Sequence, residues 1–364
     1  MTELSQVTEL ARSMLAQPGS QFAVEEAISL AVDQVYEQGV GFSPWDESLI
    51  RNQAQKAITG YGKLDDLIQD EHLEEIWINS PSDVFISRDS VTSRVDLVLD
   101  EFAVRQAVER MLRDSGRRLD KSQPFVDATL ANGSRIHVVI PDITKSHWAV
   151  NIRKFPKSII TTQDLISRGA LSDHLCKYLI SEYQSGLNIL VSGATQAGKT
   201  TLLCALLEHS SSNDRIVSIE ETFEIRTSHI DWVGLQAKQA NLEGFGEVSL
   251  RRLVREALRM RPTRIVIGEV RQAEALDLLI ALNSGIAGLC TIHANSALDA
   301  IEKLKLLPLL AGENIPAKFV SKIVERNIDL VVHAAMDNSG QRKVTEVIRA
   351  ERSANKTRWT QVQI

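Results

Sequence analysis

The chain has 364 residues, 43% hydrophobic and 24% charged, and its 41 Lys and Arg against 47 Asp and Glu leave a net charge of −6. That length exceeds one ordinary core, so two domains and an appendage are expected, and the acidic balance excludes a global basic field that would draw the chain to nucleic acid. The three cysteines, Cys176, Cys204 and Cys290, form no C-x-x-C pair, which argues against a zinc cluster or disulfide framework and fits a reducing compartment.

No apolar run reaches the roughly 18 residues of a membrane span. Met1-Thr2-Glu3-Leu4 offers neither the basic nor the apolar region of a signal peptide. The expectation is a protein inside the cell, with membrane association through partners only. Residues 1–58 read as a helical appendage. Val7, Leu10, Ala11 and Met14 recur at helical spacing, as do Ala27, Ile28, Ala31, Val32 and Val35. Turns are expected at Gln17-Pro18-Gly19-Ser20 and at Gly39-Val40-Gly41-Phe42-Ser43-Pro44. A mixed α/β domain follows over 59–157, with strands at Ile76-Trp77-Ile78-Asn79, Val84-Phe85-Ile86-Ser87 and 135–140, and a helix over 102–112. Helical signals fill 161–186. From 158 to 364 the pattern alternates strand and helix, with β-like runs at 215–219, 232–235, 265–268 and 289–293, and a terminal hairpin over 341–364. Such alternation implies a doubly wound, mostly parallel sheet with its ligand at the carboxyl ends of the strands. A helix is expected over 250–261, opened by Ser249 and stopped by Pro262. Its arginines Arg251, Arg252, Arg255 and Arg259 form a polar side, with Arg259 and Arg261 the candidates for a subunit interface.

Within this pattern Gly193-Ala194-Thr195-Gln196-Ala197-Gly198-Lys199-Thr200 fits G-x-x-x-x-G-K-T. The apolar run Asn188-Ile189-Leu190-Val191 precedes it and Thr201-Leu202-Leu203-Cys204-Ala205-Leu206-Leu207 follows, the strand–turn–helix context of a phosphate-binding loop. Backbone N–H groups of the turn and the helix N-terminus converge where the helix dipole favours an anion. Lys199 is expected to reach the β- and γ-phosphates and Thr200 to ligate Mg²⁺. The chain therefore reads as a nucleoside triphosphate binder.

Downstream acids narrow the chemistry. Glu269 ends the apolar strand Arg264-Ile265-Val266-Ile267-Gly268, where a carboxylate can orient the attacking water. Glu220-Glu221, with Glu224 one turn later, ends the preceding strand and suits Mg²⁺ or its waters. His293, in Thr291-Ile292-His293-Ala294-Asn295, is a candidate γ-phosphate contact.

These strings, with Gly60-Tyr61-Gly62-Lys63-Leu64, Glu75-Ile76-Trp77-Ile78-Asn79-Ser80-Pro81, Asn132-Gly133-Ser134-Arg135-Ile136, Ile152-Arg153-Lys154-Phe155, Asn241-Leu242-Glu243-Gly244, Leu258-Arg259-Met260-Arg261-Pro262 and Ile267-Gly268-Glu269-Val270-Arg271, resemble the secretion ATPases of the type II/type IV secretion superfamily. Within it the chain is similar to the Tad/Flp pilus assembly branch, the CpaF/TadA type. The resemblance implies an α/β fold: a RecA-like P-loop ATPase domain, a smaller α/β (PAS-like) N-terminal domain and the helical appendage. It implies ATP and Mg²⁺ as ligands, with the 193–201 loop, through Thr201, around the nucleotide, and Thr200, Glu220 and Glu221 at the metal. Glu269 is then the catalytic carboxylate, Lys199 and His293 face the phosphates, and Arg135 and Arg153 come from the N-terminal domain to meet them. The implied assembly is a homo-hexamer in the cytoplasm, at the inner face of the cytoplasmic membrane. There it powers pilus assembly or retraction through inner-membrane platform proteins, with no direct nucleic acid contact. The alternatives are a VirB-like conjugation or type IV secretion traffic ATPase and a nucleotide-gated scaffold with little turnover. Two local departures stand out: Gln196-Ala197 where the family usually has Gly-Ser, and Glu221 where Asp is usual.

Overall fold

A computed structural model describes residues 3–15, 22–37, 44–88, 91–113, 115, 117–130, 132–154, 159–240, 245–312, 314–353 and 356–363. The turns expected at 17–20 and 39–43, residue Phe155, the 157/158 boundary and the 241–244 string lie outside these. The chain divides into two compact units, Met1–Phe155 and Pro156–Ile364.

In the first unit, helices α1 (Glu3–Leu15), α2 (Val24–Glu37) and α3 (Pro44–Thr59) gather their apolar stripes, among them Val7, Ala11, Ile28, Val32 and Ile50, into a core of their own. After α4 (Asp65–Gln69) come β1 (Leu73–Ser80), β2 (Asp83–Arg88), β3 (Val91–Val95), α5 (Glu101–Arg113), β4 (Phe125–Thr129), β5 (Arg135–Val139) and β6 (Ala149–Arg153). The strands form an antiparallel sheet in the order β3-β2-β1-β6-β5-β4. Alternate residues Ile76, Ile78, Ile136, Val138, Val150 and Ile152 pack with Val104, Val108 and Met111 of α5, so one face of the sheet is buried in this core. Strands β3, β4 and β6 lie outside the runs expected from the sequence; β4 and β6 alternate in burial, but over five residues each.

The second unit opens with α6 (Thr162–Ser167), whose N-cap Thr161 and Asp164 form a capping box, and α7 (Asp173–Gln184). Then follow β7 (Ile189–Gly193), α8 (Lys199–Leu207), β8 (Ile216–Glu220), β9 (Trp232–Gln236), α9 (Leu250–Ala257), β10 (Arg264–Val270), α10 (Glu274–Asn283), β11 (Ala287–His293), α11 (Ala297–Leu306), α12 (Ala317–Asn327), β12 (Leu330–Met336), β13 (Arg342–Ser353) and β14 (Lys356–Gln361). The sheet order is β14-β13-β12-β7-β11-β10-β8-β9, parallel from β12 to β9 and closed at one edge by the antiparallel β13–β14 hairpin.

Period-two alternation sorts this sheet into two layers. Ile189, Val191, Val266, Leu289, Leu330 and Val332 pack against α6, α7 and α8. Leu190, Val217, Ile219, Ile265, Ile267, Cys290 and Val331 pack against α9, α10, α11 and α12. Both faces are covered, which is why the strands read as continuous apolar runs. All three cysteines are buried in these layers, and burial raises each thiol pKa, to about 12 for Cys204 and Cys290. Helix α9 is capped by Ser249, which accepts from the Arg252 amide, but it ends at Ala257. A 3-10 turn and Arg261, left-handed at φ 55°, lead from there to Pro262. Among the described residues no helix is long and apolar enough to cross a membrane.

Candidate functional site

The 193–198 segment runs from the carboxyl end of β7 to the N-terminus of α8, with β11 and β12 flanking β7. A Cβ on Gly193 would lie 2.2 Å from the Ala334 carbonyl oxygen of β12, so only glycine permits that approach. Gly198 caps α8 at φ 87°, and Gln196 takes φ 63°, a left-handed conformation that non-glycine residues adopt reluctantly. Thr195 is exposed, Thr200 and Thr201 are half-buried, and Ala197 is buried beneath the loop.

Lys199 begins α8 and is only 7% exposed. Its Nζ donates to the Ala194 carbonyl at 2.8 Å and lies 3.0 Å from His293 Nδ1. Nδ1 also lies 3.3 Å from the Gly193 carbonyl oxygen, so the Lys199 ammonium, which can only donate, and that carbonyl, which can only accept, meet at the same ring nitrogen. Burial, then the Lys199 charge, hold the His293 pKa below its ordinary value, so the ring is neutral at neutral pH. His293 Nε2 lies 2.9 Å from Glu269 Oε1, and Arg271 donates to Glu269 Oε2 at 2.7 Å and to Glu221 Oε2 at 2.9 Å. Lys199, His293, Glu269, Arg271 and Glu221 thus form one chain of contacts across the carboxyl edge of the sheet. Burial pushes the Glu269 carboxyl up, but the Arg271 hydrogen bond and charge, with His293 and Lys199, outweigh it and hold the group below the usual carboxylate range. Glu269 is therefore ionised. Its Oε1 is buried and makes no well-aligned hydrogen bond among the described residues.

Glu269 reaches this position through a bulge. Along β10, Ile267 opposes Cys290 and Val270 opposes Ile292, so Gly268 and Glu269 together face a single residue of β11. The inserted residue returns Val270 to the layer of Ile265 and Ile267 and aims Glu269 at the loop. Buried Glu274 accepts from the Arg271 and Gln272 amides at 2.6 and 2.8 Å, which holds the turn that presents Arg271.

The neighbouring acids separate. Glu220 follows Ile216 and Ser218 on the α8 side, is 3% exposed, and accepts from the Glu224 and Ile225 amides at 2.8 Å each through Oε1. Its Oε2 is buried and has no hydrogen-bond partner among the described residues. Burial raises its pKa to about 7, against two backbone hydrogen bonds that lower it. Glu221, one residue on, is exposed and faces Arg271, while Glu224 Oε2 receives the Thr200 hydroxyl at 3.5 Å. Glu224 is thus the acid beside the expected metal ligand, and the sequence offered it only as one of three. Among the described residues no three His, Cys, Asp or Glu side chains stand ready to hold a metal by themselves. The residues that could hold an Mg²⁺ brought in by phosphate oxygens are Thr200, with Glu224 and the orphaned Glu220 oxygen as acceptors for its waters.

Glu220 carries a pH prediction. Its folded pKa lies above the carboxyl reference of 4.5, so the folded state keeps a proton that the unfolded state loses between about pH 4.5 and 7, and stability falls across that window. At 1.36 kcal/mol per unit the loss is about 3 kcal/mol above pH 7. Glu220→Gln removes it. Urea unfolding of the nucleotide-free, Mg-free protein is expected to show the variant more stable by about 1–3 kcal/mol at pH 8 and near wild type at pH 4.5. An equal difference at both pH values would refute the assignment.

Arg135 and Arg153 lie in the first unit, directly opposite each other in the β5–β6 ladder. They therefore share the face of that sheet turned away from α5, with Arg135 3.3 Å from Asp127. Of the α9 arginines, Arg251 and Arg255 hold buried Asp277 of α10 at 2.6 and 2.7 Å, and Arg259 pairs with Glu256.

A family model described as type II/IV secretion system protein matches residues 58–358. A Mycobacterium tuberculosis protein named for conjugal transfer is 35% identical over 301 residues, covering 80% of this chain and 85% of its own. The type IV secretion system protein VirB11 of Bartonella henselae is 27% identical, covering 77% of this chain and 89% of its own. Among solved structures, the Legionella pneumophila ATPase DotB superposes with a TM-score of 0.56 at 18% identity, over 78% of this chain and 79% of that one, a likeness of fold.

Proposed function

The chain belongs to the type II/IV secretion system protein family, a family of ATPases, and on that premise we propose that it is an Mg-dependent, hexameric motor that powers assembly of a Tad/Flp-type pilus from the cytoplasmic side of the membrane. The observation that carries the catalytic part is the ionised, inward-aimed Glu269 within one contact chain of Lys199. When bound, Mg²⁺ would neutralise charge on the transferring phosphoryl group.

The chain's own residues do the rest. Lys199 leaves the Ala194 carbonyl and His293 for the β- and γ-phosphate oxygens. Relieved of that cation, His293 can turn towards phosphate or hold Glu269. Glu269 Oε1 orients a water whose oxygen attacks the γ-phosphorus as the bridging oxygen departs with ADP, the water's proton passing to the carboxylate or the phosphate. Arg271, shared between Glu269 and Glu221 at rest, sets how readily Glu269 turns to that water. Arg135 and Arg153 are assigned to phosphate recognition on their chemistry and their match to the family's arginine segments.

A second reading has support of its own, because relatives named for conjugal transfer and VirB11 cover most of the chain. Deleting the gene in its host and scoring sheared surface fibres beside plasmid transfer separates the two. Loss of fibres with transfer intact is the expected result. Loss of transfer with fibres intact would replace pilus assembly with conjugation while keeping the motor.

A further inference from the structure

Gln196 is a non-glycine residue held left-handed at the middle of the phosphate-binding loop, and its carbonyl is engaged from outside the loop's own sequence. Arg342 Nε donates to it at 2.8 Å across 146 residues of sequence. The Arg342 stem also covers the loop's second left-handed residue, with its Cδ 3.5 Å and its Cβ 4.0 Å from where a Cβ on Gly198 would stand. Arg342 has a firm base. It is the first residue of β13, opposes Met336 of β12, and follows a turn closed by the Asp337 amide on the Gln341 carbonyl. β12 in turn pairs with β7, with Ala334 beside Gly193 where the loop begins. The hairpin edge of the sheet therefore reaches the loop through one side chain.

We propose that Arg342 is a positioning residue that holds the phosphate-binding loop in its anion-ready shape by securing the strained Gln196 peptide. A trans peptide points its C=O and N–H in opposite directions, so fastening the Gln196 oxygen to Arg342 also fixes the Ala197 N–H. That N–H donates to the Ala194 carbonyl at 3.3 Å and closes the turn on the oxygen that also receives Lys199. A left-handed glutamine tends to flip out of this arrangement, a guanidinium hydrogen bond opposes the flip, and a glycine would not need it.

The inference rests on the loop being a nucleotide site, and a two-by-two set of variants tests it: wild type, Arg342→Met, Gln196→Gly and the double variant. Methionine keeps the apolar stem on Gly198 and removes the donor. Arg342→Met is expected to weaken Mg·ADP binding about tenfold in the wild-type background and less than threefold in the Gln196→Gly background, with Arg342→Lys intermediate. The loss should fall on Mg·ADP affinity more than on saturated turnover, since Glu269 and His293 stand on β10 and β11 rather than on the hairpin. Amide exchange at 194–198 in the nucleotide-free protein reads the same tether without nucleotide, and Arg342→Met should speed it about tenfold only when Gln196 is present. Equal effects in both backgrounds, or none in either, overturn the proposal. Should wild type fail to bind nucleotide, the functional reading falls, and the exchange data alone decide whether Arg342 positions the loop.

Discussion

Glu269→Gln is expected to lower steady-state phosphate release by about 10²–10⁴-fold while nucleotide affinity stays within a fewfold of wild type. The size follows from what the amide lacks. Glutamine keeps an acceptor for Arg271 and nearly the same volume, so the bulge that aims residue 269 has no reason to collapse. It cannot carry the negative charge that draws a proton from the water. Binding should survive because the loop and Lys199 are held by other contacts, to the Ala194 carbonyl and the Arg342 side chain. Phosphate release measured beside equilibrium binding of ATP separates the two effects. Equal turnover in wild type and variant would remove Glu269 from the chemistry, and near-zero turnover in both would favour the nucleotide-gated scaffold.

Lys199→Ala has the second large effect, on binding. A buried ammonium that trades two neutral acceptors for phosphate oxygens contributes a charge-assisted interaction, and its loss should weaken ATP binding roughly 10–100-fold. The variant also leaves a mark in the absence of nucleotide. Lys199 is one of the two leading causes that depress the His293 pKa, the larger being burial, so removing it should raise that pKa. Proton NMR of the His293 ring checks the shift, and calorimetric titration checks the affinity. Unchanged affinity would mean that the loop binds something other than a triphosphate through this lysine.

What the sequence made legible was local. The run from Asn188 to Leu207 carries its strand, turn and helix within twenty residues, and Ser249 announces α9 by hydrogen-bonding its first turn. Strand alternation could have gone further. In Ile216-Val217-Ser218-Ile219-Glu220 the parity that puts Ser218 on the α8 side also puts Glu220 there and sends Glu221 elsewhere. The bulge at Gly268–Glu269 was not legible, because an extra residue is defined only against the partner strand. Nor was Arg342, whose acceptor lies 146 residues away and whose meaning depends on the φ of Gln196. The sequence marked Gln196 as unusual, and only the fold supplies a compensating group. β12 was passed over for a related reason: its apolar run, Leu330 to Ala334, gains its place between β7 and β13 from pairing with strands far away in sequence.

The three buried thiols turn the second unit into its own clock. A thiolate attacks a disulfide reagent, and with Cys204 and Cys290 buried and burial pushing both pKa values up to about 12, modification is slow until the segment comes apart. The first unit holds no cysteine, so its fraying is silent in such an assay. Cys204 rides on α8 directly behind the phosphate loop, while Cys290 sits in the neighbouring central strand and faces the other layer. Matching labelling rates would mean that the nucleotide cradle dissolves only with the whole α/β/α sandwich. A faster Cys204 would reveal a cradle that lifts off by itself, and the free energy of that lifting could then be read as a function of ADP concentration.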